Sequence, residues 1–484
     1  MPASQTHQHL IAGTSRDASD GALFDKFEPS SGALLAKVAA GTARDVDAAV
    51  SAARAQFDGG EWSRMPGAAR GRLLHRLADL LERDAERFVE LLAREQGRPV
   101  MEMRMLDLPM SIDTLRYFAG WADKLEGRQI PTGGFMGRPT LNYTVRSPLG
   151  VAALIIPWNA PLMIACWKLA PALAAGCTVV LKPSEDAPLA VGALARLTLE
   201  AGFPPGVVNL VHGMGPAVGA ALVDHPGVDK VSFTGSTSVG RQIAQAAGPQ
   251  FKRLTLELGG KAPQILLEDA VLEQAIGGLV MGLFVDQGQT CAAGSRILVH
   301  RRHYEDVVGA LADAARSLKV GDPFDPGTQM GALISARHAD RVRSHIDTAL
   351  TEGAKMVAGS EALPAGGYFV RPTIFADVRP SMRIARDEVF GPVGAVIPFD
   401  TDDEAVALAN DTAYGLSASL WTQNVAKAHQ IAGRLRVGAV AVNGWSPLDA
   451  RLPWGGFKDS GVGRDLSRSA LDGYLEEKVV TVVM

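Results

Sequence analysis

The chain has 484 residues, 47% of them hydrophobic, and a formal net charge of −4. That length exceeds what a single core sustains, so two or three domains are expected, and the apolar content excludes disorder. With 21% charged residues and no basic excess, nucleic acid and anionic membranes are excluded as partners, which leaves a small neutral or cationic molecule.

Only three cysteines occur, Cys166, Cys177 and Cys291. An odd number without close spacing argues against a disulfide framework and against a zinc cage, so no metal and a reducing, cytoplasmic compartment are expected. The start, MPASQTHQHLIAGTSRD, lacks the basic region and the apolar core of about 7 to 15 residues that a secretory signal needs. The longest apolar runs, such as GVAALIIPW, fall short of the roughly 20 residues of a membrane helix, so a soluble protein is expected.

From Ala68 to Gln96, leucines at helical spacing among alternating charges predict amphipathic helices, ended by Gly97 and Pro99. From Gly150 onward, short apolar runs alternate with helical stretches. Strands are predicted at VAALII, TVVLKP, VVNLV, VSFTG and LTLEL, with helices around MIACWKLAPALAAG and ALARLTLEAG. That alternation marks a parallel sheet with crossover helices, a nucleotide-binding α/β layer. After Gly259 a second α/β stretch is expected, with strands at ILLE, RILVH, FVRPTIF and GAVIPF and a helix through HYEDVVGALADAARSL. Two mixed layers imply two lobes and a cleft between them. The last residues, EEKVVTVVM, are strand-prone with no later segment to pair with, and an apolar edge is normally covered, so a partner subunit is expected there.

The most informative segment is FVDQGQTCAAGSR, Phe284 to Arg296, where Gly288, Ala292, Ala293 and Gly294 leave room for a carbonyl to approach the Cys291 sulfur. On residue type alone a buried core thiol is the plainer reading. Cys166 and Cys177, inside apolar stretches, keep it.

Other segments change the balance: PWNAP at 157–161, KPSE at 182–185, FTGS at 233–236, LELGGK at 256–261, EVFGP at 388–392 and PWGGFKDSG at 453–461. Together, in this order and spacing, they resemble the aldehyde dehydrogenase superfamily from roughly residue 20 to the end, in its hydrolytic, non-acylating branch. The resemblance implies an α/β fold with a Rossmann-type NAD-binding domain (1–126 and 147–257), an α/β catalytic domain (258–458) and bridging strands of a small β oligomerisation domain (127–146 and 471–484). A homodimer or homotetramer would follow.

By the same resemblance the chain oxidises an aldehyde to the acid with NAD. Cys291 is the nucleophile, and a free thiol near pKa 8.5 needs activation. The Asn159 side-chain amide and the Cys291 N–H would stabilise the oxyanion, and Glu257 would be the general base that hydrolyses the thioester. Taken singly, Asn159 is equally a turn residue between two prolines and Glu257 a solvated strand-end carboxylate. Asp465 falls where many members carry a glutamate proposed to relay protons, and it is one methylene shorter.

No G-x-G-x-x-G follows any strand, and Gly213, Gly215 and Gly219 are spaced differently. The family binds NAD without that fingerprint, and the resemblance places Ile155, Trp158, Gly215, Gly235 and Ser236 at the dinucleotide. Gly235 and Ser236 would meet the pyrophosphate. Lys182 and Glu185 would flank the adenosine ribose, and Glu388 and Phe390 the nicotinamide end. Glu185 favours NAD, with NADP a weaker possibility.

Met163, Trp167, Val285, Leu448 and Trp454 match positions that line the family's aldehyde tunnel. Their apolar character predicts a hydrophobic aldehyde, aromatic or medium-chain. Aromatic walls also suit cations, and Asp286, where relatives usually have asparagine, and Asp449 in the closing loop make an aminoaldehyde or betaine aldehyde the alternative. A CoA-acylating relative would lack the Glu257 base, and a catalytically silent structural relative would not need Cys291, Glu257 and Asn159 intact.

Overall fold

The computed structural model describes residues 6–445 and 448–484. The leucine stripe after Ala68 forms two helices, Gly67–Arg83 and Ala85–Gln96, which bury Leu74, Leu77, Leu81, Phe88 and Leu92. Gly97 ends the second with φ 73° and an N–H to the Ala93 carbonyl at 2.9 Å, the left-handed cap that glycine adopts without steric cost.

An eight-stranded sheet follows the predicted alternation. Its spatial order is Gly461–Val462, Arg253–Glu257, Lys230–Thr234, Val151–Ile155, Thr178–Lys182, Val208–Leu210, His9–Ile11 and Thr14–Arg16. The five central strands run parallel. Val151–Ile155 and Thr178–Lys182 are buried at every position, as strands covered by helices on both faces must be. The chain winds outward in both directions from Val151–Ile155, so the reversal lies between that strand and Lys230–Thr234. In such sheets a crevice opens at the carboxyl ends of the strands beside the reversal. Antiparallel edges close the sheet: His9–Ile11 and Thr14–Arg16 on one side and Gly461–Val462 on the other.

A seven-stranded sheet carries the second α/β stretch, in the order Lys355–Ala358, Thr373–Ala376, Val393–Phe399, Arg296–His300, Pro263–Leu266, Ser417–Trp421 and Ala439–Val442. Of the run FVRPTIF, only Thr373 onward joins it. Pro372 has no N–H to give a ladder, so pairing starts after it.

The carboxyl-terminal strand pairs within its own chain, with a segment that overlaps the 127–146 strands grouped with it in the expected small β domain. Leu475–Val483 pairs antiparallel with Thr140–Pro148 of its own chain, from Leu475 opposite Pro148 to Val483 opposite Thr140. Absence of a later segment did not mean absence of a partner, because the ladder is made with a strand far earlier in the chain. Opposed residues share a face, so Leu141 and Val482 stand on one side with Tyr143 and Val480, while Asn142 and Thr144 are buried on the other. Among the described residues no helix is long and apolar enough to cross a membrane.

Candidate active site

Strand register brings the predicted residues to one edge. Ile155 lies opposite Lys182 and Phe233, and Thr234 lies opposite Glu257. The turns that leave these strands, 156–160, 183–186 and 235–236, therefore emerge side by side at the carboxyl end of the sheet.

Cys291 enters from the seven-stranded side. The helix Leu272–Phe284 ends at Val285, and Asp286, Gln287 and Gly288 follow with φ of 53°, 54° and 70°. Two left-handed non-glycine residues in succession are sterically costly and must be held by neighbours. Gln287 Nε2 donates to the Ala332 carbonyl at 2.9 Å, and Gln289 Oε1 accepts from Ile334 N at 3.0 Å. A Cβ on Gly288 would collide with the Gly391 carbonyl, and one on Gly260 with the Cys291 carbonyl. Burial, then the Glu388 and Glu257 carboxylates, push the Cys291 thiol up to about 12.

Glu257 ends its strand with 4% exposure, and neither carboxylate oxygen has a hydrogen-bond partner. The Asp465 N–H beside it is committed to the Trp454 carbonyl at 2.8 Å. Burial and the Asp465 charge raise Glu257 well above the usual carboxylate range, while Lys168 and Arg464 act the other way. Gly455, at φ 153°, presses on this carboxylate: a Cβ there would lie 2.6 Å from Glu257 Oε1. Asp465 Oδ2 is itself 2.7 Å from the fully buried Lys168 Nζ.

Two cavities meet at Cys291. Cys291, Asn159 and Thr234 line both. On the sheet side, Trp158, Gly235, Ser236, Glu388 and Phe390 form the walls. That space continues, past Trp158 and Gly235, into one lined by Ile155, Lys182, Glu185 and Gly215. Ser236 caps the helix Thr237–Ala247 by accepting from Val239 N at 3.4 Å, so the helix amino terminus faces this space. Lys182 Nζ lies 3.4 Å from Glu185 Oε2, and burial lowers the Lys182 ammonium. Glu388 Oε1 accepts the Gly260 N–H at 2.8 Å, and burial pushes its carboxyl up to about 7. A Cβ on Gly259 would strike that carboxylate. Phe390, at φ 58°, stands edge-on to Trp158, and the His338 Nε2–H donates to its carbonyl at 2.7 Å.

On the other side, Met163, Trp167, Val285, Leu448 and Trp454 line a tunnel of about 360 Å³ together with Glu257 and Asp286. Trp167 and Trp454 stand 6.3 Å apart, and Trp167 Nε1 has no partner. Asp449 does not line this tunnel. Its carboxylate is held by Arg451 two residues on, at 2.7 Å from Nε. Asp286 does line it but is paired: Arg98 Nε lies 3.0 Å from Oδ1, an ionic contact without hydrogen-bond alignment.

Residues 16–480 match the family model described as the aldehyde dehydrogenase family. The mitochondrial aldehyde dehydrogenase of Homo sapiens is 44% identical over 484 residues, covering 100% of this chain and 93% of that protein. A solved NAD+ complex of an aldehyde dehydrogenase from Bacillus cereus superimposes with a TM-score of 0.97 at 44% identity, over 99% of this chain and 97% of that one. A betaine aldehyde dehydrogenase from Staphylococcus aureus gives a TM-score of 0.96 at 37% identity, over 98% and 94%. The chain belongs to the aldehyde dehydrogenase family. It is an enzyme that oxidises aldehydes to carboxylic acids.

Several residues of this dehydrogenase's cleft escaped sequence reasoning. Arg98, Asp107, Met110 and Trp445 also line the tunnel, and Thr234 stands at its junction with the sheet-side cavity. Trp445, whose Nε1 donates to the Ala292 carbonyl at 3.2 Å, could have been suspected as an isolated aromatic in a loop. Arg98 offered no local signal.

Proposed function

We propose that this dehydrogenase oxidises a hydrophobic aldehyde, aromatic or medium-chain, with NAD as acceptor, through a thioester on Cys291 that Glu257-activated water hydrolyses. The observation that carries this reading is the position of Cys291 and Asn159 at the one junction of an apolar tunnel with a cavity built on strand ends.

The sheet-side cavity fits a dinucleotide. Thr234 Oγ1 is buried without a partner, glycines 215, 219 and 235 line the space, and a helix amino terminus offers N–H groups to a pyrophosphate. Lys182 and Glu185 would hold the adenosine ribose, with Ile155 beneath the adenosine, and Glu388 and Phe390 the nicotinamide end. Bound NAD supplies a hydride acceptor whose positively charged ring favours the thiolate. The dinucleotide domain would comprise 1–126 with 147–257, and the catalytic domain 258–458.

The Cys291 sulfur adds to the aldehyde carbon. The oxygen that gains negative charge is stabilised by the Asn159 side-chain amide and the Cys291 N–H. After oxidation the carbon is a thioester, and Glu257 takes a proton from the water that attacks it. Its raised pKa makes it a stronger base than an exposed carboxylate once ionised. Asp465, fixed on Lys168, sets the charge beside Glu257. The free thiols suit a reducing cytoplasm.

An apolar substrate is favoured because both carboxylates that a cationic aldehyde would use, Asp286 and Asp449, already have arginine partners. Initial rates of NADH formation with benzaldehyde, hexanal and betaine aldehyde decide this. Betaine aldehyde should be the poorest by kcat/KM, and the reverse order would install the cationic reading. The exposed face carrying Leu141, Tyr143 and Val482 would join subunits in a homodimer or homotetramer. Light scattering at micromolar concentration should give a mass at least twice 51.0 kDa; a monomer at that concentration would dismiss the interface.

A further inference from the structure

Arg98 follows the left-handed cap at Gly97, and its side chain is only 4% exposed. It lines the tunnel and touches both the segment that carries Asn159 and the one that leads to Cys291. Nη1 donates to the Asn159 backbone carbonyl at 3.2 Å and to Asp107 Oδ1 at 3.2 Å. Nη2 lies 3.1 Å from Asp107 Oδ2 and 3.1 Å from Glu102 Oε2. Nε faces Asp286 Oδ1 at 3.0 Å, and Glu102 Oε2 also accepts the Asp286 N–H at 3.1 Å.

One guanidinium thus joins the turn that carries Asn159 to the left-handed turn, Asp286 and Gln287, that leads to Cys291. Those two non-glycine residues keep φ values of 53° and 54°, which persist only where surroundings over-determine them. Three carboxylates converge on a single cation, and Nε donates to Glu102 Oε2 at 3.2 Å, the oxygen that also accepts the Asp286 N–H. An ammonium could keep the charge but could not reach acceptors on three segments at once.

We propose that Arg98 is a positioning residue for aldehyde oxidation, holding the Asn159 turn and the Asp286 turn together so that the Asn159 amide and the Cys291 N–H converge on one oxygen. This rests on the reading above that these two groups form the oxyanion site. Misplacing a donor by a fraction of an ångström weakens its stabilisation of developing charge, whereas aldehyde and cofactor binding are little changed.

The test is a double-mutant cycle read by the single-turnover rate of NADH formation from hexanal in wild type, Arg98→Lys, Asn159→Ala and the pair. Arg98→Lys keeps the charge and should fold, which its thermal midpoint checks. It should slow this step about tenfold with the KM for NAD unchanged, and should cost less than twofold in the Asn159→Ala background. Asp286→Asn, which retains the Arg98 contact to the Asn159 carbonyl, should slow the step less than Arg98→Lys does. Equal losses from Arg98→Lys in both backgrounds, no loss in the wild-type background, or a larger loss from Asp286→Asn would each overturn the positioning role. A wild-type rate in Asn159→Ala alone would instead remove the oxyanion assignment and the proposal with it.

Discussion

The two cavities that meet at Cys291 are built by different means. The sheet-side cavity takes its walls from consecutive strand ends, at 155–158, 182–185 and 234–236, where parallel register places neighbouring turns side by side. Part of its lining lacks side chains: the helix amino terminus after Ser236 borders it, and glycines 215, 219 and 235 line it. The tunnel takes most of its walls from segments around 98–110, 159–167, 281–292 and 445–454, which share no sheet, joined by Thr234 and Glu257 from the strand ends. Large side chains such as Met163, Trp167, Trp445 and Trp454 line it. A backbone-built site tolerates changes of side chain and keeps one ligand class. A side-chain-built site can change its substrate with a few substitutions, which is how one fold serves many aldehydes.

The largest expected effect separates the two sides completely. Cys291→Ala should abolish aldehyde oxidation, a loss on the order of 10⁴-fold or more, since the covalent step has no substitute. The dissociation constant for NAD, measured by fluorescence quenching, should change less than threefold. Substantial residual turnover would remove the thioester, and a large loss of NAD affinity would show that the two cavities are not separable.

Glu257→Gln should act within the tunnel and on one half of the reaction. Thioester formation remains possible, but the amide cannot take a proton from water, so steady turnover should fall about 10²- to 10⁴-fold after a burst near one NADH per active site. The wild-type rate of hydrolysis should rise with pH, because the proposed base must be ionised to take a proton and the Glu257 pKa is raised. The midpoint of that rise should lie above the ordinary carboxylate range and vanish in Glu257→Gln. A variant turning over steadily at wild-type rate would place the base elsewhere.

The same contrast governs what was legible in the sequence. Apolar runs with helical intervals announced the parallel strands, and their carboxyl ends carry Lys182, Gly235 and Glu257 at the cleft because parallel register leaves little choice. The shared motif set brought Cys291, Asn159 and the tunnel residues together on the page before any geometry. Arg98 was invisible as a site residue: Glu102 and Asp107 beside it suggest only a local ion pair, while the partners that tie it to the cleft, Asn159 and Asp286, are distant, the last 188 positions away. The two acidic residues that suggested a cationic substrate show the same limit of a bare sequence. Asp286 contacts that distant arginine and Asp449 is held by Arg451, and a bare sequence shows a charge without its partner. The carboxyl-terminal strand was an orphan only to local reading, because its partner at Thr140–Pro148 lies near the end of the first third of the chain.

The smallest expected effect tests the sheet-side cavity, where a single side chain should bias the choice between two closely related cofactors. Glu185 stands three residues after Lys182, with their charged groups 3.4 Å apart at the end of a buried strand. A carboxylate there accepts hydrogen bonds from both hydroxyls of an adenosine ribose. In NADP one hydroxyl becomes a phosphate, and two anionic groups then face each other in a partly desolvated space. That contact costs on the order of 1 to 3 kcal/mol, roughly ten- to a hundredfold in affinity. Lys182 offsets only part of it, because its ammonium also donates to the Pro183 carbonyl at 2.8 Å. Wild type should therefore prefer NAD by kcat/KM, and Glu185→Ser should narrow the gap mainly by improving NADP, with kcat for hexanal nearly unchanged. Equal or better use of NADP by the wild type would mean that the carboxylate turns away from the ribose and leaves Lys182 to hold the phosphate. A Glu185→Ser variant that lost NAD without gaining NADP would make the side chain a simple ribose anchor, and the backbone of the cleft, not this charge, would then set the cofactor.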